Sequence, residues 1–272
     1  MKFIPELKTQ KAMKRLFIIM AVMLSSIAVS AQNDKFGVWH SIEVDKKINK
    51  KFTVGFDGEL RMLQGHTSRW SAGVSATYKF TKWLKASAGY SLLRDKNDRY
   101  SCSYTRNGFI DEEKWASYWG NRHRVNVSLT GEVRVGRFDI SLRERWQYTY
   151  RPEKTVMRTV SEREYLNAEG TEWDENVYDE EKTYRGKGKN VLRSRLQVSY
   201  DIHKCPVEPY ANAELYNAWN IYKVRYTVGA DWKINKQNTL GVSYKFQDMH
   251  SGNDDDLEPD LHVLGLSYKY KF

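Results

Sequence analysis

The sequence predicts an all-β chain: a single closed antiparallel transmembrane β-barrel of about 10–12 strands, preceded by a cleavable signal peptide. Three observations carry that prediction. Apolar and polar residues alternate with a period of two in segment after segment, as a wall between lipid and lumen requires. The first 31 residues have the layout of an export signal. The connections between segments are short at one end of the predicted barrel and long at the other.

The alternation is clearest in Asp260 to Phe272, DLHVLGLSYKYKF. Tyr270, Tyr268, Leu266 and Leu264 share one face, and Lys271, Lys269, Ser267 and Gly265 share the other. A strand of this kind closed by Phe272 resembles the last strand of bacterial outer-membrane barrels, where the terminal strand guides insertion.

Composition agrees with that architecture. At 272 residues the chain has room for one barrel or two small globular domains. Aromatic residues make up 14%, with 18 tyrosines, yet mean hydropathy is −0.71. That balance excludes a bundle of membrane helices but not a barrel, whose strands hide their apolar residues in alternation. The formal charge of +10 falls to +6 in a chain beginning at Gln32, because Lys2, Lys8, Lys11, Lys14 and Arg15 outnumber Glu6 in the leader. Lys and Arg alternate with apolar residues instead of clustering, so no nucleic-acid partner is expected. Cys102 and Cys205 fall in different connections, at opposite rims of the barrel, and are expected to be free. No His or Cys cluster has metal-ligand spacing, and no metal or cofactor is expected.

At the N-terminus, Lys14-Arg15 precedes the apolar run Leu16–Leu24 and the small-residue exit Ala28–Ala31. This is a signal peptide over 1–31, with Met13 a possible true start, and the run is short for a membrane span of about 20 residues. The barrel domain then covers 32–272 and implies residence in the outer membrane of a Gram-negative bacterium, with outer-membrane lipid and the barrel assembly machinery as partners.

Eleven strands can be read. The first carries Val38, His40, Ile42 and Val44 on one face and Trp39, Ser41, Glu43 and Asp45 on the other. Phe52–Met62 follows a turn at Ile48-Asn49; Trp70–Phe80 and Leu84–Leu92 flank Thr81-Lys82; Val125–Val133 and Phe138–Leu142 flank Val135-Gly136. Leu192–Tyr200 and Ala211–Leu215 flank Cys205-Pro206, and Val224–Trp232 and Leu240–Phe246 flank Asn235, ahead of the terminal strand. Single-chain bacterial barrels usually have an even strand count, so ten or twelve are the alternatives. The long outer loops are expected at 95–118, 151–189 and 250–259. The second is a charged, solvated surface loop, in which Val156, Met157 and Val160 could extend a hairpin above the membrane.

The polar faces carry Glu43, Asp57, Glu59, Arg61, Arg69, Arg122, Arg124, Glu132, Arg143, Arg145, Arg193, Arg195, Glu214, Arg225 and Asp231. In a narrow barrel these charges form a lumenal network, with Glu214 among Arg193, Arg195 and Arg225 of neighbouring strands. Glu144 falls on the apolar parity between Leu142 and Trp146, where a β-bulge or a subunit contact would explain it. Trp39, Trp70, Trp83, Trp146, Trp219 and Trp232 sit near strand ends, as interfacial girdles require. His40, His123 and His262 lie on strands without a nucleophile elbow or a Ser/His/acid spacing, so no catalytic residue is assigned.

The stretches FGVWHSIEVDKKINKKFTVGFDGELR, NRHRVNV, EPYANAELY and YKVRYTVGADWKINKQNTLGVSYKF resemble the domain of unknown function 2490 family. The resemblance spans about Phe36 to Phe272 and rests on Arg, Glu and Trp positions rather than a catalytic signature. It implies a bacterial outer-membrane barrel and no reaction. Three roles fit the residues: a barrel filled by its own Arg/Glu network with a structural or surface role, a small anion-selective pore, or a lipid-modifying enzyme. The first is expected, because the inward faces carry bulky Arg, Glu and Lys.

Overall fold

A computed structural model of the protein describes residues 35–250 and 260–272. The expected signal peptide and nearly all of the expected 250–259 loop lie outside them. The described chain is thirteen strands in one sheet: β1 (Lys35–Lys47), β2 (Phe52–Leu63), β3 (His66–Lys79), β4 (Leu84–Tyr104), β5 (Ile110–Val135), β6 (Phe138–Arg151), β7 (Lys154–Tyr165), β8 (Trp173–Tyr184), β9 (Lys187–Tyr200), β10 (Val207–Ala218), β11 (Asn220–Lys233), β12 (Asn238–Met249) and β13 (Leu261–Lys271).

Eleven of these form the wall, in the order β1–β6 and then β9–β13, and β1 closes on β13. Closure leaves no unpaired edge along the wall, which a membrane-spanning sheet must avoid. Neighbouring wall strands are antiparallel except at this seam, where Lys35–Asp45 runs parallel to Leu261–Lys271. The parallel seam is a matter of counting. When strands alternate in direction, the eleventh points the same way as the first, so an odd barrel must close on one parallel pair. The Val38 strand is therefore a wall strand, and the count is eleven rather than ten or twelve.

The turns at the Phe272 end are tight and capped by side chains. Asn49 Oδ1 accepts from the amides of Lys51 and Phe52 at 2.8 Å, and Asn235 Oδ1 from those of Gln237 and Asn238 at 2.9 and 2.8 Å. Thr81 Oγ1 serves Trp83 and Leu84 in the same way. At Gly136 the backbone takes φ +62°, which glycine adopts without a Cβ penalty.

At the other end two expected loops are mostly strand. β4 and β5 run on past the wall as one hairpin, paired from Asp95↔Gly120 to Tyr104↔Ile110. β7 and β8 form a second hairpin that includes Val156, Met157 and Val160, and β7 borders β5 over Glu112–Trp115. Both segments are polar and lack a long apolar alternation, which is why period counting reads them as loops. Cross-strand pairs hold them instead: Arg163 to Glu113 at 2.7 Å, Arg158 Nε to Glu180 at 2.6 Å and Tyr178 to Glu162 at 2.7 Å. Cys102 thus lies on a strand and not in a connection, while Cys205 stays in the β9–β10 turn; both are free.

The outward face is apolar and exposed along the wall, including Ile42, Phe56, Val74, Val127, Leu142, Leu196, Tyr226 and Val228. In water such a surface is a liability; in lipid it is the solvated face. Glu144 sits on this face in regular register, opposite Leu129 and Ser194, with no bulge beside it. The Ser194 hydroxyl donates to its carboxylate at 2.7 Å.

Candidate functional site

Every charged residue expected on the polar face has the inward parity. Glu43 faces Asp57, Arg61 faces Arg69, Arg143 faces Arg195 and Glu214 faces Arg225 across their strand pairs. The inner wall gathers several of them into two clusters.

The first centres on Glu214, which is 4% exposed. Its carboxylate accepts from Arg143 of β6 at 2.6 Å, from Arg193 of β9 at 2.9 Å and from the Tyr216 hydroxyl at 2.7 Å. Arg225 of β11 lies at 3.7 Å and donates to Gln247 at 2.6 Å; Gln147 accepts from Arg193 at 3.0 Å. Four strands are thereby tied through one carboxylate. Arg195 lies directly opposite Glu214 in register, as expected, but reaches it through longer-range electrostatics and not through a hydrogen bond or close ion pair. The longer-reaching Arg143, one strand further on, takes that place. Sequence proximity could not reveal Arg143, because the β7–β8 hairpin separates β6 from β9 along the chain.

The second cluster centres on Asp95, 3% exposed, which binds Arg69 through two nitrogens and Arg122 at 2.8 Å. Asn97 accepts from the same Arg122 at 3.1 Å. Asp95 was missed by sequence reasoning because it opens the stretch read as a loop. Beside it Arg61 bonds Glu59 at 2.7 Å and lies 3.8 Å over the ring of Trp39. Arg225 and Lys245 each approach that same ring at 4.9 Å. Trp39 is therefore a lumenal residue, 5% exposed, and not part of an interfacial girdle. Its indole face holds three cations from β2, β11 and β12, a role that its polar-face parity, shared with Glu43, could have signalled. With Leu63, Leu261 and Val263 it makes a small apolar plug against the β1–β13 seam.

The remaining expected residues are peripheral to these clusters. Glu43 and Asp45 share Lys269, Glu132 binds Lys85, and Arg124 donates to Thr149 at 3.3 Å. Asp57 and Asp231 join neither cluster; a Cβ on Gly73 or Gly241 would strike their carboxylates at 2.7 and 2.6 Å, so glycine leaves them room. Arg145 makes no hydrogen bond or ion pair among the described residues. On the inner face of β10 and β11, Tyr210 covers Gly229, where a Cβ would lie 2.8 Å from its ring.

On the outward face, His123 and Tyr90 share a hydrogen bond of 2.7 Å, and His262 and Tyr244 share one of 2.5 Å. Above the wall, Tyr100 donates to Glu113 at 2.6 Å, and that bond pushes its hydroxyl pKa up to about 12.

A closed wall, an apolar outer surface and a charged inner face define an outer-membrane-type β-barrel. The family described as protein of unknown function (DUF2490) matches residues 36–258, and the chain belongs to it. Comparison with curated proteins finds no match. Among solved structures, the NanC porin matches with TM-score 0.44 and 13% identity over 88% of this chain and 98% of that one. The β domain of the Bordetella autotransporter Brka matches with TM-score 0.45 and 14% identity, over 81% and 82% of the two chains. The translocator domain of the autotransporter NalP from Neisseria meningitidis matches with TM-score 0.42 and 10% identity, over 74% and 70%.

Proposed function

We propose that the protein is a barrel of the Gram-negative outer membrane whose lumen is closed by its own side chains, with a structural or surface role and no enzymatic activity. Its partners on this reading are outer-membrane lipid along the wall and the barrel assembly machinery during insertion. The observation that carries the reading is Glu214, buried and bonded to arginines of β6 and β9 with a third from β11 alongside. Bulky side chains that satisfy one another along the inner wall take up space an aqueous channel would need, and narrow barrels have little to spare. Reconstitution of the purified protein in planar bilayers tests it, and no steady current is expected. Steady anion-selective conductance would favour the second reading, a small anion pore, for which the excess of arginine over carboxylate speaks. A lipid-modifying enzyme finds less support, since His123 is bonded to Tyr90 and makes no ion pair with a carboxylate among the described residues.

A further inference from the structure

The pairing of β6 with β9 creates a conflict that the chain's own acids leave standing. In register, Arg143 faces Arg195 and Arg145 faces Arg193, so four guanidinium groups share one patch of inner wall. Like charges directly opposite one another destabilise a sheet, and a confined interior strengthens the repulsion. Glu214 alone among the described carboxylates makes an ion pair with this block, and it bonds only Arg143 and Arg193 while Arg225 also draws on it. Nearby acids are engaged elsewhere: Glu132 holds Lys85, and Asp139 lies 3.6 Å from Arg134. Glu214 reaches Arg195 and Arg145, and Asp57 reaches Arg145, only through longer-range electrostatics. Arg145 and Arg195 have no hydrogen-bond or ion-pair partner among the described residues, and the Nε–H of all four arginines is buried without an acceptor. The wall facing Arg145 and Arg143 on β5 offers Ser128 and Thr130, both hydroxyls and both buried.

We propose that this block is an anion site in which a phosphate-type oxyanion, free or carried on a small soluble molecule, bridges Arg145 and Arg195 beside Glu214. A tetrahedral oxyanion with two negative charges presents acceptors in the spread that two guanidinium forks require, and it relieves both like-charge pairs at once. The buried Thr130 hydroxyl can add a donor, while that of Ser128 is shared with Ser87 at 2.7 Å. The proposal rests on the closed-lumen reading, because in a wide aqueous pore mobile counter-ions would screen the same charges.

The test compares the parent with the Arg145→Gln/Arg195→Gln variant, which removes one cation from each facing pair. Thermal unfolding is followed in detergent at constant ionic strength while inorganic phosphate is titrated through the low-millimolar range. The parent is expected to show a saturable rise of several degrees; the variant should be no less stable than the phosphate-free parent and should not respond. Equal responses in both would reflect the general effect of excluded salts and would overturn the site, as would no response in the parent. If the variant does not fold, calorimetric titration of the parent replaces it: one saturable phosphate per barrel supports the site, and absence of saturable binding overturns it. Glycerol phosphate as a second titrant separates the sources, since a response to it as well admits phosphate esters, and a response to inorganic phosphate alone restricts the site to the free ion; either supports it. Silence in planar bilayers without a phosphate response would sink this inference alone. A phosphate response together with steady conductance would instead sink the closed lumen.

Discussion

Replacing Glu214 with alanine leaves Arg143 and Arg193, each already opposite another arginine, with no carboxylate to share. The site is nearly dry, the Glu214 side chain being 5% exposed, so the loss should cost about 3–5 kcal/mol of folding stability. Glu132→Ala is the matched control: its pair with Lys85 has side chains 41% and 37% exposed and should be worth less than about 1 kcal/mol. Unfolding midpoints of both variants in detergent check the pair of expectations, and similar small losses would mean that Glu214 is solvated. At this scale, counting by twos along strands identified the inward charges, because a lipid-facing side chain and a lumenal one cannot exchange places without flipping a whole strand. The partners were less legible. Asp95, Lys245 and Trp39 complete the clusters, yet Asp95 lay in a presumed loop, and Trp39 was grouped with tryptophans whose outward faces suit lipid. Arg143 meets Glu214 only because β6 and β9 pair after 31 intervening residues of hairpin have been excluded, which no local pattern encodes.

Among the elements, the β1–β13 seam has the most specific consequence. Ser41 faces Ser267 across it, both on the lumenal parity, and the Ser41 hydroxyl lies 3.5 Å from the Leu266 carbonyl oxygen. Cysteines placed there by Ser41→Cys and Ser267→Cys, with Cys102 and Cys205 changed to serine, should cross-link under mild oxidation in the assembled barrel. The product would migrate as a loop-closed chain after heating without reductant. A failure to cross-link, with the barrel otherwise folded, would remove β1 from the wall and return the count to an even number. The wall strands were legible because each alternates cleanly between lipid and lumen. The hairpins above it were not: Trp173–Tyr184 is exposed at nearly every position, and the faces that do bury, at Asn97, Ala116, Val160 and Ser161, mix polar with apolar residues. Glu144 belongs at this scale too. A bulge was expected because a carboxylate on lipid-facing parity looks like a slip in register, but a single hydroxyl from Ser194 accompanies it in an unbroken ladder.

For the whole molecule, the asymmetry of the two ends makes orientation measurable with residues the chain already has. Cys102 lies on the β4–β5 extension beyond the wall, and Cys205 in the tight β9–β10 turn at the end where Phe272 sits. Both are free and partly accessible, so each can react with a maleimide that cannot cross a membrane. Outer-membrane barrels carry short turns on the periplasmic side and longer connections outside. Intact cells treated with the reagent should therefore label Cys102 and spare Cys205, while lysed cells label both. Single variants Cys102→Ser and Cys205→Ser assign the signals, and the fold should tolerate either, because neither thiol is buried. Labelling of Cys205 but not Cys102 on intact cells would invert the barrel. Equal labelling of both in a soluble fraction would mean that the apolar outer surface is covered by something other than lipid.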